Sequence, residues 1–197
     1  MKTRSASSTS RARWRLWRRS TRLSATELRP VLTGLPPLID ERSRVLVLGS
    51  FPSKQSLAKR EYYGNPQNHF WQIMGNLFTF DPVALYGART AALLANGIAV
   101  WDVIGECSRE GSGDDAIQDA TANPLLSLLR DHPHVRHIAF NGGTALRTAR
   151  IFVPDLFEEG SVEWQQFPST SPRHARLKLE DKLAVWRQLR DWLQGSG

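Results

Sequence analysis

The sequence predicts an α/β fold of three layers, α/β/α, with a central, mostly parallel four-stranded sheet. Three observations carry that expectation. Strand-like apolar runs alternate with stretches of helical period along the chain, which implies a mostly parallel sheet covered by helices on both faces through right-handed crossovers. The first of those runs, Val45-Leu46-Val47-Leu48, is continuously apolar, as a strand buried on both faces is. With 41% hydrophobic residues and seven tryptophans, 197 residues hold enough apolar material for one domain with an appendage.

The elements follow in order. Leu35-Pro36-Pro37 reads as a lead-in, so residues 1–34 form an extension and residues 35–197 the folded domain. Val45 to Leu48 is the first strand, broken by Gly49. Asn68 to Phe78 reads as a helix with aromatics on one face. Asp81-Pro82 is expected to open a second helix, capped by Asp81 and ended by Asn96-Gly97. Ile98 to Val103 makes the second strand, followed by a polar loop from Gly105 to Asp115. Asn123-Pro124 starts a short leucine-rich helix ending near Arg130, and Val135 to Phe140 is the third strand. Asn141-Gly142-Gly143 turns into a helix from Thr144. Val162 to Phe167 is the fourth strand, and Leu179, Leu183, Trp186, Leu189 and Leu193 repeat at helical spacing in a last helix.

Composition excludes several classes. One cysteine, Cys107, leaves no internal disulfide framework and no four-thiolate metal site within one chain, so the expectation is an intracellular, cytoplasmic protein without metal or cofactor. No apolar run is long enough to span a bilayer, and no secretory signal is expected. The net charge of +7 suggests nucleic acid until it is divided: Lys2 and eight arginines against Glu27 give residues 1–30 a net +8, leaving −1 for the remainder. The domain must therefore bind anions through local clusters. The extension is expected to be disordered; it is either inert or, through Arg13-Trp14-Arg15-Leu16-Trp17-Arg18-Arg19, a basic amphipathic segment for phosphate or anionic lipid.

Chemistry concentrates where strands end. After the first come Gly49-Ser50-Phe51-Pro52-Ser53 and then Tyr62-Tyr63-Gly64-Asn65-Pro66-Gln67-Asn68-His69-Phe70-Trp71, a composition suited to stacking on a flat heterocycle and reading its edge. After the third comes Asn141-Gly142-Gly143, and after the fourth Pro168-Ser169-Thr170-Ser171-Pro172-Arg173-His174. A parallel sheet opens these ends on one edge, where such folds bind ligands. Together with Trp101-Asp102-Val103, these five ordered motifs, spanning about Leu35 to Leu193, resemble the uracil-DNA glycosylase superfamily, and within it the hypoxanthine (deoxyinosine) DNA glycosylase branch.

The resemblance implies a uracil-DNA glycosylase-like fold and a monofunctional, monomeric base-excision enzyme. Its partner would be double-stranded DNA containing deaminated bases: it would flip such a base out and hydrolyse the N-glycosidic bond, hypoxanthine foremost, with uracil or xanthine as further substrates. Most related branches carry a carboxylate or amide at the third position of the pentad, near the attacking water. Here that position is Phe51, which can stack on a base but cannot orient water, so the resemblance moves that role to Asn68, or to Asn65. Asn68 also stands where a helix N-cap belongs.

Gly49 and Ser50, at the strand end, are candidates for base contact, with Tyr63 to stack or donate its hydroxyl; Tyr62, Phe70 and Trp71 read as core, and His69 as mostly structural. Asp102 either accepts the ring N–H that hypoxanthine and uracil present, or orders the loop after it. Asn141 contacts the base, orders the pocket or makes a simple turn. Ser169, Thr170, Ser171, Arg173 and His174 are the candidate DNA contacts, extended by Arg176 and Lys178, with a solvated loop as the alternative. Ser169 and His174 lack a nucleophile-elbow setting for a hydrolase pair, and Lys54 and Lys59 read as plain charges. Two other classes stay open: a DNA-binding relative that senses damage without cleaving, and a small nucleotide-binding protein, which the lack of a full P-loop disfavours.

Overall fold

The computed structural model describes residues 30–109, 117–158, 162–173 and 176–195. The basic segment Arg13 to Arg19, most of the expected extension and His174 lie outside the described residues. The described elements are β1 (Val31–Thr33), β2 (Val45–Gly49), α1 (Lys54–Lys59), α2 (Phe70–Phe78), α3 (Tyr86–Ala95), β3 (Ile98–Asp102), β4 (Ile104–Arg109), β5 (Ile117–Ala122), α4 (Leu125–Asp131), β6 (His137–Asn141), α5 (Gly143–Phe152), β7 (Glu163–Phe167), α6 (Leu179–Trp186) and α7 (Gln188–Gln194). A single 3₁₀ turn, Pro154–Phe157, follows α5.

The central sheet has the order β3-β2-β6-β7, and each neighbouring pair is parallel. Val45 to Leu48 of β2 and Ile98 to Val100 of β3 are fully buried, as are Ile138 to Phe140 of β6, which is why these strands read as unbroken apolar runs. The chain leaves β2 toward β3 on one side and later passes β6 to β7 on the other. Right-handed crossovers in opposite directions put their helices on opposite faces. Accordingly α5 packs across β2, β6 and β7, while α2 packs on α3 and α6, α3 lies on β3 and α7 reaches β2. The strand order reverses next to β2, the switch point where open α/β sheets leave a crevice.

Three expectations need correction. The polar stretch after β3 is no simple loop: Ile104–Arg109 and Ile117–Ala122 form β4 and β5, which with β1 make an antiparallel sheet of order β1-β4-β5. Register shifts at Ile104/Glu106 and Glu106/Ser108 break the period-2 pattern by which a strand is recognised. The helix after Asp81-Pro82 starts at Tyr86, because the Asp81 carboxylate accepts the Val83 N–H at 3.0 Å and closes a local turn instead of capping a helix. The last helix is two, separated by one residue, Arg187, that keeps helical dihedrals.

The small sheet carries its own core of Phe51, Ile104 and Cys107, flanked by Leu32, Leu57 and Ile117. It sits directly behind the pentad, since Val103 and Ile104 donate their N–H groups to the carbonyls of Gly49 and Ser50.

Candidate active site

Parallel pairing sets Gly49 beside Asp102 at the ends of β2 and β3, and Asn141 beside Phe167 at the ends of β6 and β7. The segments that follow close around a cavity of about 180 Å³. Gly49, Ser50, Phe51, Tyr63, Asn65, Asn68, Asp102 and Asn141 line it together with Ser169 to Arg173, so the described candidates for the site all meet in one place.

The floor lies at Gly49. A Cβ there would collide with Asp102 Oδ1 and stand 3.7 Å from the Tyr63 hydroxyl, so only glycine lets the buried carboxylate come up against the strand end. Tyr63 has a φ of 53°, uncommon for a side-chain-bearing residue, and its ring stacks on Phe70 at 3.8 Å between centroids. Its hydroxyl is buried at the cavity floor. Burial, and then the charge of Asp102, raise its pKa well above the usual phenol value while the Asn141 amide works the other way, so the group stays a protonated donor.

Asn141 ties two strand ends together. Its Oδ1 accepts the Thr170 N–H and its Nδ2 donates to Thr170 Oγ1, both at 2.9 Å. Thr170 is fully buried, and its carbonyl accepts the His69 N–H at 3.0 Å. Thr170 thus pins the loop to the end of β6. Ser169 and Ser171 are half-buried and Arg173 is exposed; Ser169 Oγ accepts the Ser171 N–H and Ser171 Oγ the Arg173 N–H, each at 3.3 Å. Gly142, at φ 95°, gives Ser169 its room: a Cβ there would fall 2.8 Å from that of Ser169.

The asparagine wall is equally fixed. Asn65 Oδ1 accepts the Gln67 N–H at 2.9 Å, and Asn68 Oδ1 accepts the Phe70 N–H at 3.0 Å at the start of α2. A carbonyl oxygen has two lone pairs, so these bonds orient each carboxamide without exhausting it. Phe51 is 6% exposed; it packs in the small-sheet core and also lines the cavity.

A family profile described as the uracil DNA glycosylase superfamily matches residues 36–190. The chain belongs to the uracil DNA glycosylase superfamily. It is 38% identical over 146 residues to a hypoxanthine DNA glycosylase of Methanosarcina acetivorans, a match covering 73% of this chain and 89% of that one. A hypoxanthine DNA glycosylase of Methanosarcina barkeri is 40% identical over 111 residues, 55% of this chain and 70% of the relative. A solution structure titled as a uracil DNA glycosylase candidate, also from M. acetivorans, superposes with a TM-score of 0.68 at 34% identity, covering 82% of this chain and 99% of that one. The three-layer α/β/α fold is that of the superfamily.

Sequence reasoning missed part of this glycosylase-family cavity. Pro52, Ser53 and Ser56 also line it. Ser53 caps α1, its Oγ accepting the Ser56 N–H at 3.1 Å, and Ser56 Oγ accepts the Gly64 N–H at 3.1 Å. The spacing Ser53-x-x-Ser56 before a polar helix was the signal available. Lys59 donates to the Gly64 carbonyl at 2.9 Å and so braces the same turn. Tyr62 is core, its hydroxyl placed against the Leu35 and Pro36 carbonyls.

Proposed function

We propose that this protein is a monofunctional DNA glycosylase that flips deaminated bases out of double-stranded DNA and hydrolyses their N-glycosidic bond, with hypoxanthine in deoxyinosine as the foremost substrate and uracil or xanthine as others. The observation that supports it best is the single cavity in which a buried carboxylate, a buried phenol and a carboxamide face a wall of two fixed asparagines. The names of the relatives agree with it.

The geometry suits the reaction. Asp102 accepts the ring N–H that hypoxanthine presents and adenine lacks, giving the discrimination a direct cause. Tyr63, with the Asn141 amide behind its oxygen, donates toward the base, where negative charge gathers as the bond breaks. Asn68, with Asn65 beside it, holds the attacking water at the sugar. An amide cannot take the proton early, so bond breaking leads and the water needs only aim. Ser169 and Ser171 hold the strand, and Arg173 and His174 are the groups that enter the duplex. In this reading the protein acts as a monomer, residues 35–197 carry the activity and the basic extension is an accessory.

The full chain is incubated with duplexes carrying one inosine, uracil, xanthine or mismatch, and abasic product is revealed by alkaline cleavage. Inosine is expected to yield the most product. A binding-only role is the second reading, favoured by Phe51 and by the backbone bonds already made by both asparagine oxygens. DNA affinity with no product on any duplex establishes it and ends the glycosylase reading.

A further inference from the structure

A second groove, of about 510 Å³, adjoins the base cavity and shares Pro172 with it; Gln67, His69, Gln72, Leu177, Lys178 and Lys182 line the rest. Lys182 is its anomaly. The residue is only 1% exposed, yet it lines the groove, so a largely buried stem brings its charge to the groove wall. It stands one turn beyond Lys178 on α6, so both lysines share a helix face. His69, which lines the same groove, has its Nδ1 buried without a partner.

An ammonium held at the wall of such a groove is only partly solvated, so an anion bound there gains more from it than it would from a lysine in open water. The Lys182 pKa is pushed down by burial, and the His69 pKa by burial and then by the Lys182 charge, with Glu180 opposing from its exposed position. The groove is therefore a positive, partly dry site awaiting negative charge. Its place favours one source: the His69 N–H on the Thr170 carbonyl makes its wall continuous with the Ser169–Arg173 loop. Residues beyond the first thirty carry a net −1, so no global field draws DNA onto this domain and phosphates must be met one by one.

We propose that this groove is a second phosphate subsite, taking a phosphodiester of the substrate strand beyond the one at the Ser169–Arg173 loop, with Lys182 and Lys178 as its cations and Gln67 and Gln72 as neutral donors. It rests on the glycosylase reading. It also names contacts outside the base cavity, so substrate affinity depends on residues remote from the flipped base.

The test uses the full chain and a duplex with a tetrahydrofuran abasic analogue, bound in fluorescence-anisotropy titrations across a range of salt. Lys182→Met is expected to weaken binding about tenfold near 0.1 M salt and to make the log K against log salt slope shallower by about 0.9, the loss of one phosphate contact. Single methylphosphonates walked along the strand should find one linkage that costs the wild type the same and costs Lys182→Met nothing further. An unchanged slope with no such linkage, in a variant that still melts cooperatively, overturns the subsite; so does a groove that takes only free phosphate, which leaves the series flat. If Lys182→Met does not fold, Lys178→Gln on the exposed rim decides by the same readouts. Excision with a flat series defeats the subsite alone, whereas a linkage-specific loss without excision defeats the glycosylase reading and keeps the subsite.

Discussion

Asn68→Ala separates two roles that one side chain combines. The substitution removes the bond from the Phe70 N–H to Asn68 Oδ1, 3.0 Å long, at the start of a helix whose Phe70, Trp71, Ile73 and Met74 are buried. His69, not Asn68, is the N-cap of this helix, so what is lost is a local bond from the residue before the cap, worth about 1 kcal/mol. In a domain of this size that lowers the melting temperature by about 2–4 °C. If the second lone pair also aims the attacking water, the excision rate falls by about 100-fold or more, roughly 2.7 kcal/mol of transition-state stabilisation. Single-turnover excision of inosine, measured well below both melting temperatures, isolates the second effect. Asp81→Ala is the control: it removes a bond of the same length, from the Val83 N–H, on a residue that does not line the base cavity, and should cost stability without rate. A rate for Asn68→Ala within about threefold of wild type refutes the water-positioning role. Should Asn65→Ala lose the rate instead, the role belongs to Asn65.

Asn141→Ala leaves the buried Thr170 N–H and hydroxyl without partners and is expected to cost about 2–4 kcal/mol in urea titration, against about 1 kcal/mol for Thr170→Val, which keeps the N–H bond; equal losses would show the bracket is not the cause. A chain starting at residue 35 should melt lower than one starting at residue 31, because it lacks the pairing of Val31–Thr33 with β4 and the Gly34 N–H to Gly105 bond of 2.7 Å; matching melting curves would remove β1 from the stable fold. His69, held below its ordinary value of 6.5 by burial and by Lys182, binds fewer protons folded than unfolded, so it contributes to a fall in stability as pH drops below that value. His69→Gln should flatten that part of the stability-pH profile, and an unaltered slope would contradict the assignment.

The central sheet was legible because burial on both faces leaves a sequence no choice: β2 and β3 appear as apolar runs, and the residues after them must serve either turns or chemistry. The candidate site was legible for the same reason, since parallel strands carry their ends to one edge whatever the loops between them do. What could not be read were features that depend on pairing at a distance. The bulged β4 hides its period, and β1 is only three residues long. Thr170 looked like its serine neighbours, and only the partner 29 residues earlier tells them apart. Lys182 gave no signal in sequence, because a lysine on an amphipathic helix ordinarily faces water.

On the proposed reading, Phe51 and the small sheet together account for the placing of the hydrolytic group. Most related branches place a water-orienting carboxylate or amide at that position, whereas here, as in the branch the chain resembles, it is apolar, and the side chain packs with Ile104 and Cys107 in a core that β1, β4 and β5 build behind it. A polar group at residue 51 would be driven into apolar surroundings and left short of partners, at about 1–3 kcal/mol. The same sheet is locked to the pentad through the Gly49 and Ser50 carbonyls, so the site cannot turn outward to escape that cost. On the proposed reading the water-directing side chain therefore comes from another wall of the cavity. Asn65 and Asn68 line that wall, each carboxamide already fixed by a neighbouring backbone N–H, so no side-chain ordering is left to accomplish when the water binds.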